Sequence, residues 1–330
     1  MRWDVEFNSG AFYSAATAVR LAEIAEERGF DAVWKGESNS TDPLVLLSAM
    51  AARTTRIKLG TAIYHIYGRS PVTLGIQAAT LNDLSDGRLL LGLGVANKTI
   101  AGWHQGTFDR PLRRIREYVD VVRGVAGGER VEYDGEIYPT HGFKLSWRPK
   151  HPAVRIYYAG LGEQMTRLAG KIADGIILNM ANPAKIREIV ANVRAGASES
   201  GRDPDAIEYC VKVRVAMNPD RELARRKLKQ VLTFYNLADH YKDMVGAMGF
   251  ADDSAAIRAA YQRGGFKAAA AEVSDEMLAG LPTIAATTVD EVRERIAPYG
   301  EAGATRLIIP FVPCGDDARS EAEAFLRSWR

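Results

Sequence analysis

The segment YYAGLGEQMTRLAG, residues 157–170, contains a pair of glycines with the spacing of an anion-binding turn. Gly160 and Gly162 lie between an apolar run and the start of a helical pattern. Free N–H groups and the positive end of a helix dipole attract phosphate at such a place, and glycine lets it approach the backbone closely. No Gly-Lys-Ser/Thr follows, and the GxGxxG spacing is incomplete. The residues alone therefore leave a phosphate site and an ordinary tight turn as alternatives.

Two carboxylates stand at the ends of the first two apolar runs. Glu6 alternates with Val5 and Phe7, so it should face away from them. A buried carboxylate is costly unless it has a partner or a function, so Glu6 is either a catalytic acid or one half of a structural ion pair. The same argument applies to Glu37, which either pairs with Lys35 or binds a polar ligand.

The segment GLGVANKTI, residues 92–100, is a second place where a ligand could approach the backbone. Glycines inside a strand, here Gly92 and Gly94, often mark such an approach. Asn97 could donate a hydrogen bond to the carbonyl of a bound ring, or it is a plain loop residue. His104 is a general acid or a surface histidine.

The segment LGTAIYHIYGRSP, residues 59–71, begins as an apolar strand but continues with polar and aromatic residues where the apolar run ends. Tyr64, His65 and Tyr67 follow the run, and Arg69 either reaches an anion or belongs to the surroundings of the next helix. Pro71 should start that helix, at a position that needs no N–H donor.

A repeated junction predicts the fold. An amphipathic helix ends, a Gly or Asp-Gly turns the chain, and a continuous apolar run follows, as parallel strands covered on both faces require. Eight βα units in 330 residues favour a (β/α)₈ TIM barrel over an open doubly wound sheet. The strands are predicted at 3–7, 31–35, 56–62, 88–93, 154–158, 175–179, 209–216 and 305–310.

Two segments interrupt this rhythm within a single predicted domain of residues 1–330. Residues 131–139 predict a hairpin around Asp134-Gly135. Residues 220–287 predict a helical insertion between the last two strands. Its stripe of Phe234, Leu237, Tyr241 and Val245 belongs to a core, a subunit contact or a lid over a substrate pocket.

Composition excludes several classes of function. A net charge of +2 offers no electrostatic reason to bind nucleic acid or an anionic membrane. Two cysteines and histidines without metal-ligand spacing predict neither a disulfide framework nor a metal site. No leader and no run of ~18 apolar residues is found, so we expect a cytoplasmic protein. Short apolar helices and a balanced charge also suit a homodimer.

Four segments together resemble the bacterial luciferase-like superfamily, and most closely its coenzyme F420-dependent branch, which includes the methylenetetrahydromethanopterin reductases. They are RTTRIKLGTAI, YGRSPV, LSDGRLLLGLG and LAGKIADGIILN. The likeness covers most of residues 1–215 and returns at 287–312. The insertion carries little of it.

The resemblance implies a barrel with the ring of a deazaflavin or flavin at its mouth. In this family strand 3 commonly ends in a non-prolyl cis peptide behind the ring, and the matching bond is Ala62–Ile63. The implied cofactor-binding residues are Glu37, Ser38, Ala62, Ile63, Tyr64, His65, Gly94, Asn97, Ala159, Gly160, Leu161 and Gly162.

The implied activity is hydride transfer between C5 of coenzyme F420 and an electrophilic carbon of a small substrate, such as a methylenetetrahydromethanopterin- or folate-like compound, an imine or an enone. Glu6 matches a glutamate of the reductases and is the preferred acid. Asn97, the second catalytic candidate, stands where relatives often carry an acid, which weakens its case as a proton donor. Many relatives have Asp-His at the positions of Glu37-Ser38, so sugar-phosphate dehydrogenase chemistry is disfavoured. An FMN-dependent two-component monooxygenase and a non-catalytic flavin-binding barrel remain alternatives.

Overall fold

The computed structural model of the protein describes residues 1–7 and 12–329. In it, the apolar runs form strands, and the helical patterns that follow them form helices. The strands are β1 (Arg2–Glu6), β2 (Ala32–Lys35), β3 (Lys58–Thr61), β4 (Tyr64–His65), β5 (Leu89–Gly94), β6 (Val131–Tyr133), β7 (Thr140–Phe143), β8 (Arg155–Ala159), β9 (Gly175–Leu178), β10 (Glu208–Lys212), β11 (Arg214–Met217), β12 (Thr283–Ala286) and β13 (Arg306–Pro310).

The helices alternate with these strands. They are α1 (Ala15–Glu27), α2 (Pro43–Ala51), α3 (Pro71–Leu84), α4 (Lys98–Trp103), α5 (Pro111–Ala126), α6 (Glu163–Ile172), α7 (Pro183–Glu199), α8 (Arg221–Asn236), α9 (Asp239–Val245), α10 (Ala251–Ala271), α11 (Asp275–Gly280), α12 (Val289–Glu301) and α13 (Ala318–Ser328). A 3₁₀ turn spans Pro204–Ala206, and a π-helical turn spans Gly246–Phe250. Within the described part of the chain, no helix is both long and apolar enough to cross a membrane.

The strands of the large sheet form a closed barrel. Hydrogen-bonded neighbours follow the order β3-β2-β1-β13-β10-β9-β8-β5, and β5 also pairs with β3, which closes a ring of eight strands. The pairs β1–β13, β10–β13, β2–β3, β3–β5, β5–β8 and β8–β9 are parallel. The predicted (β/α)₈ barrel is confirmed, and the open sheet is excluded because an open sheet leaves two edge strands unpaired.

The chain folds into two compact units. One comprises Met1–Glu6, Leu178–Val190 and Cys210–Arg330, and the other comprises Phe7–Ile177 and Ala191–Tyr209. In the first unit a parallel pair, β11 and β12, accompanies helices α8–α13. In the second unit the antiparallel pair β6–β7 accompanies helices α1–α6.

The predicted junctions have the local structure that their residues require. After α1, Gly29 has φ of +81°, which glycine adopts without a steric cost, and the next N–H, of Phe30, donates to the carbonyl of Ala25. Helix α3 begins at Pro71, as predicted, and the Oγ of Ser70 accepts the N–H of Thr73 at 3.2 Å.

Three boundary predictions are wrong. The strand predicted at 209–216 is two strands, because β10 pairs with β13 while β11, after Val213, pairs with β12. Strand β12 also lies within residues 220–287, so the insertion is not purely helical. The predicted hairpin exists, but its second strand begins at Thr140, beyond the predicted 131–139.

The apolar stripe predicted in the insertion is also interrupted. Helix α8 ends at Asn236 and α9 begins at Asp239, so no single helical face connects the two halves. Val245 is buried, whereas Phe234 is 68% exposed and takes no part in a core.

Strand β3 ends irregularly, as the resemblance implies. The peptide bond between Ala62 and Ile63 is cis, which confirms the expectation. The N–H of Ala62 donates to the carbonyl of Lys35, and the carbonyl of Ile63 accepts the N–H of Glu37. Beyond this irregularity, β4 resumes pairing with β5.

A substitution at Gly60 tests how closely β3 packs against its neighbours. A Cβ at this position would lie 2.2 Å from the ring of the fully buried Trp34. We expect Gly60→Ala to lower the free energy of unfolding by about 1–3 kcal/mol, because a well-packed core does not accept an added methyl group. Urea denaturation measures the change.

Gly102→Ala is the matched control, because a Cβ at Gly102 in α4 meets no atom within 4 Å. Its stability should stay the same or rise by up to about 1 kcal/mol, as for Gly→Ala in a helix. Equal effects at both positions would show that packing against Trp34 is not the cause.

Candidate active site

The loop after β3 is held by a guanidinium that bridges two carboxylates. Arg69 donates through Nη1 to Oε1 of Glu37 at 3.0 Å and through Nη2 to Oδ2 of Asp42 at 2.5 Å. Its guanidinium also lies 4.4 Å from the ring centroid of Tyr64, whose hydroxyl donates to Asp42. The hydroxyl of Tyr118 in turn donates to the carbonyl of Arg69. Arg69 is thus engaged within the protein. This favours its predicted role in the surroundings of the next helix over contact with an anion.

His65 is the second partner of Glu37. Oε2 of Glu37 accepts the N–H of His65 at 3.0 Å and lies 3.1 Å from its Nε2. The Nδ1 of His65 accepts the N–H of Tyr67 at 3.3 Å, so this nitrogen carries no proton. Burial, with a contribution from His104, lowers the pKa of His65 to about 4. His65 is therefore neutral at physiological pH, with its proton on Nε2 and directed at Glu37.

These contacts correct one predicted alternative and refine others. Glu37 pairs with Arg69 and His65 rather than with Lys35, whose Nζ donates to Ser40 instead. Burial raises the pKa of Glu37. Tyr64 and His65 are buried, whereas Ser38 is exposed and contacts Ser40.

Two glycines of β5 allow close packing at the same strand end. A Cβ at Gly92 would lie 1.9 Å from the carbonyl oxygen of Thr61, and one at Gly94 would lie 2.7 Å from Cδ1 of Ile63. The hydroxyl of Thr61 also donates to the carbonyl of Gly92 at 2.8 Å. Gly92 is therefore required by the backbone of β3, whereas a side chain at Gly94 would displace that of Ile63, so packing accounts for both glycines before any ligand is considered.

The glycine turn after β8 has the structure of an anion-binding turn. Helix α6 begins after Gly162, which provides no side-chain cap, and a Cβ at Gly162 would meet nothing within 4 Å. Among the described residues, no acceptor is found for the N–H groups of residues 160–163. Gly160 differs, because its Cβ would lie 2.9 Å from Cβ of Met165. The first turn of α6 therefore presents free donors to open space at Gly162.

Asn97 and His104 flank the short helix α4. Oδ1 of Asn97 accepts the N–H of Ile100 at 3.0 Å, so this side chain is an N-cap that leaves its NH₂ group for other partners. The exposed His104 ends the helix, and its ring centroid lies 4.4 Å from that of His65.

Glu6, in the first unit, is ion-paired. Its carboxylate lies 2.8 Å from Nζ of Lys212, and both side chains are buried. The predicted structural ion pair therefore exists. It does not exclude a catalytic role, which stays a prediction. Residues 8–11, the predicted loop after β1, lie outside the described residues.

Sequence reasoning missed a second polar cluster in this unit. Arg214 donates to Oδ1 of Asn179 at 2.8 Å and to the hydroxyl of Tyr235 at 2.6 Å, and Asn179 donates to the hydroxyl of Tyr241 at 2.5 Å. The signal was present in VKVRV, where Lys212 and Arg214 interrupt an otherwise apolar run. Cations at alternate positions of a buried apolar run have a partner or a function.

The neutral state of His65 gives a pH prediction. A histidine whose pKa is lowered on folding binds fewer protons in the native state, so stability is lost as the pH falls from about 6.5 towards 4. We expect the wild type to lose about 2 kcal/mol more than His65→Gln between pH 7 and pH 5. Urea denaturation at both values measures this. The charged and titratable groups that face His65 are Glu37, Arg69 and His104. Equal pH dependence in the two proteins would contradict the assigned protonation state.

Comparison with known proteins places these features in a family. The model of the luciferase-like monooxygenase family matches residues 5–306. A 5,10-methylenetetrahydromethanopterin reductase of Archaeoglobus fulgidus is 29% identical over 98% of this chain and 97% of its own length. An F420-dependent glucose-6-phosphate dehydrogenase of Nocardia farcinica is 28% identical over 94% of this chain and 91% of its own.

A solved structure agrees with this. The coenzyme F420-dependent tetrahydromethanopterin reductase from Methanopyrus kandleri superimposes with a TM-score of 0.86 at 25% identity, over 99% of this chain and 97% of that one. The family match covers far more than half of the chain, and the predicted resemblance is confirmed. This chain belongs to the luciferase-like monooxygenase family.

Proposed function

We propose that the protein is a coenzyme F420-dependent oxidoreductase that transfers hydride between this cofactor and an electrophilic carbon of a small organic substrate. The observation that carries the proposal is the turn before α6, where free N–H groups and a helix N-terminus adjoin open space at Gly162. The similar proteins named for coenzyme F420 support the choice of cofactor.

The residues of the second unit fit such a cofactor. Residues 159–162 would hold an anionic group of the cofactor tail through backbone donors, without a positively charged side chain. The irregular bond Ala62–Ile63, packed against Gly94, would support the face of the ring. Tyr64 and His65 are buried, so we propose that they hold this support in place, and their contact with the cofactor stays a prediction. Glu37 fixes them, while the exposed Ser38 and the NH₂ group of Asn97 are the proposed polar contacts.

Bound in reduced form, coenzyme F420 supplies a hydride and no oxygen chemistry, because a carbon replaces the flavin N5. The protein's part is to bind, orient and exclude water. Glu6 is the proposed group that stabilises a cationic or protonated form of the substrate. Its ion pair with Lys212 fixes the carboxylate in one position. We propose as substrates methylenetetrahydromethanopterin- or folate-like compounds, imines or enones. A homodimer, a cytoplasmic location and a single domain stay predictions.

Cofactor titration tests the proposal. The purified protein should bind F420 in a fluorescence or calorimetric titration, and FMN at least tenfold more weakly. Gly162→Val should weaken F420 binding about tenfold, or about 1.4 kcal/mol, because its side chain enters the open space before α6. The φ of −78° at Gly162 accepts any residue, so an unchanged melting temperature is the check on folding. Tight FMN binding without F420 binding would refute the proposal.

Glu6→Gln tests the catalytic assignment. The amide keeps an oxygen that accepts from Lys212 but removes the charge. We expect kcat with reduced F420 to fall about 10²–10³-fold, with F420 affinity within about twofold, in steady-state kinetics and titration. Unchanged turnover would leave Glu6 as a structural ion-pair residue only.

A further inference from the structure

Arg214 is a buried guanidinium whose described partners are all neutral. The residue is 4% exposed and lies at the start of β11. Its three hydrogen bonds go to Oδ1 of Asn179, the hydroxyl of Tyr235 and, at 3.6 Å, the sulfur of Met180. No carboxylate lies within ion-pair distance of it among residues 1–7 and 12–329.

The nearest described ion pair does not include this cation. Lys212, two residues earlier in the chain, is paired with Glu6. Among the described residues, the carboxylate of Glu6 is therefore engaged by Lys212, and no carboxylate is paired with Arg214. An isolated buried charge is among the most costly features in a protein, and it is kept where a partner or a function requires it. The ring of Tyr235, 4.3 Å from the guanidinium, stabilises it, but by less than the cost of burying the charge.

The hydrogen-bond donors are also in excess. A guanidinium has five N–H donors, and only three of those on Arg214 have a described acceptor. The hydroxyl of Tyr235 accepts from Arg214, and no described residue accepts its own proton. Three donors around one cation therefore lack acceptors, and the group that would complete them is an anionic oxygen acid.

Arg88 shows what a purely structural arginine of this protein looks like. Among the described residues it also has no carboxylate partner, but all five of its donors are used. The acceptors are the carbonyl oxygens of Ala51, Thr54, Ile57 and Ser85 and the hydroxyl of Thr54. Arg214 differs from it in leaving donors unused.

We propose that Arg214 and the hydroxyl of Tyr235 form a recognition site for an anionic oxygen group, a carboxylate or a phosphate, carried by the substrate. Asn179 fixes the orientation of the guanidinium by accepting from its Nη2. The identification of the ligand as substrate rests on the proposed function. The existence of the anion site does not, and the test therefore uses protein without cofactor.

The test is the binding of two probes, benzoate and inorganic phosphate, to the full-length protein. Thermal unfolding is followed as each probe is titrated, with sodium chloride at matched ionic strength as reference. A ligand that binds only the native state raises the melting temperature as its concentration grows. We expect one of the two probes to raise the melting temperature of the wild type. The identity of that probe distinguishes a carboxylate site from a phosphate site.

The variants assign the effect to its residues. Arg214→Lys keeps the charge but loses the planar pair of donors, and Tyr235→Phe keeps the ring but loses the hydroxyl. Each should weaken probe binding at least tenfold, and Tyr235→Phe serves if Arg214→Lys does not fold. Arg88→Lys is the matched control and should bind the probe as the wild type does. A wild-type shift no larger than that in chloride, or the same shift in the wild type and the Arg214 and Tyr235 variants, would overturn the proposal. Since F420 is absent from this assay, failure of cofactor binding would leave its result unaffected.

Discussion

The bridge from Arg69 to Glu37 and Asp42 holds the second unit's candidate site together. Asp42 caps helix α2 through one oxygen and binds Arg69 and Tyr64 through the other. One carboxylate oxygen of Glu37 contacts the backbone N–H and the ring of His65, and the other accepts a hydrogen bond from Arg69. Two loops that follow neighbouring strands are thereby tied to each other beside the irregular end of β3. A guanidinium is suited to bridging two carboxylates, because its donors lie in one plane at fixed angles.

Close backbone packing imposes the second constraint on this region. Gly60, Gly92 and Gly94 each lie where a Cβ would overlap a neighbour, respectively Trp34, Thr61 and Ile63. These glycines bring β3 and β5 together beneath the proposed ring support. A Cβ at Gly162, by contrast, would meet no atom within 4 Å, and this is the position where helix α6 leaves its donors unused. The glycines of β3 and β5 thus serve packing, whereas Gly162 leaves room for a ligand.

The buried charges of the first unit's described residues are of two kinds, ion pairs and a cation with neutral partners. Asp4 and Arg306 form a fully buried pair with two hydrogen bonds, at 2.9 and 3.0 Å, between β1 and β13. Glu6 and Lys212 form a second pair. Arg214 has neutral partners only among the described residues. Each complete pair offsets much of the cost of burying its two charges, whereas Arg214 keeps unused donors, on which the proposed anion site rests.

The sequence by itself determined the barrel, the family and most strand positions, because continuous apolar runs between capped helices report burial on both faces of a parallel sheet. It also located the glycine turn before α6 and the irregular bond after Ala62, the latter through resemblance. It could not determine which partners the polar side chains take. Glu37 reaches Arg69, which is 32 residues away in the chain, and Glu6 reaches Lys212, which is 206 residues away. The break at Val213 was likewise invisible, because no turn residue separates β10 from β11 and only their different partners, β13 and β12, distinguish them. Local pattern reports which faces are buried, and the tertiary structure alone decides which residues meet there.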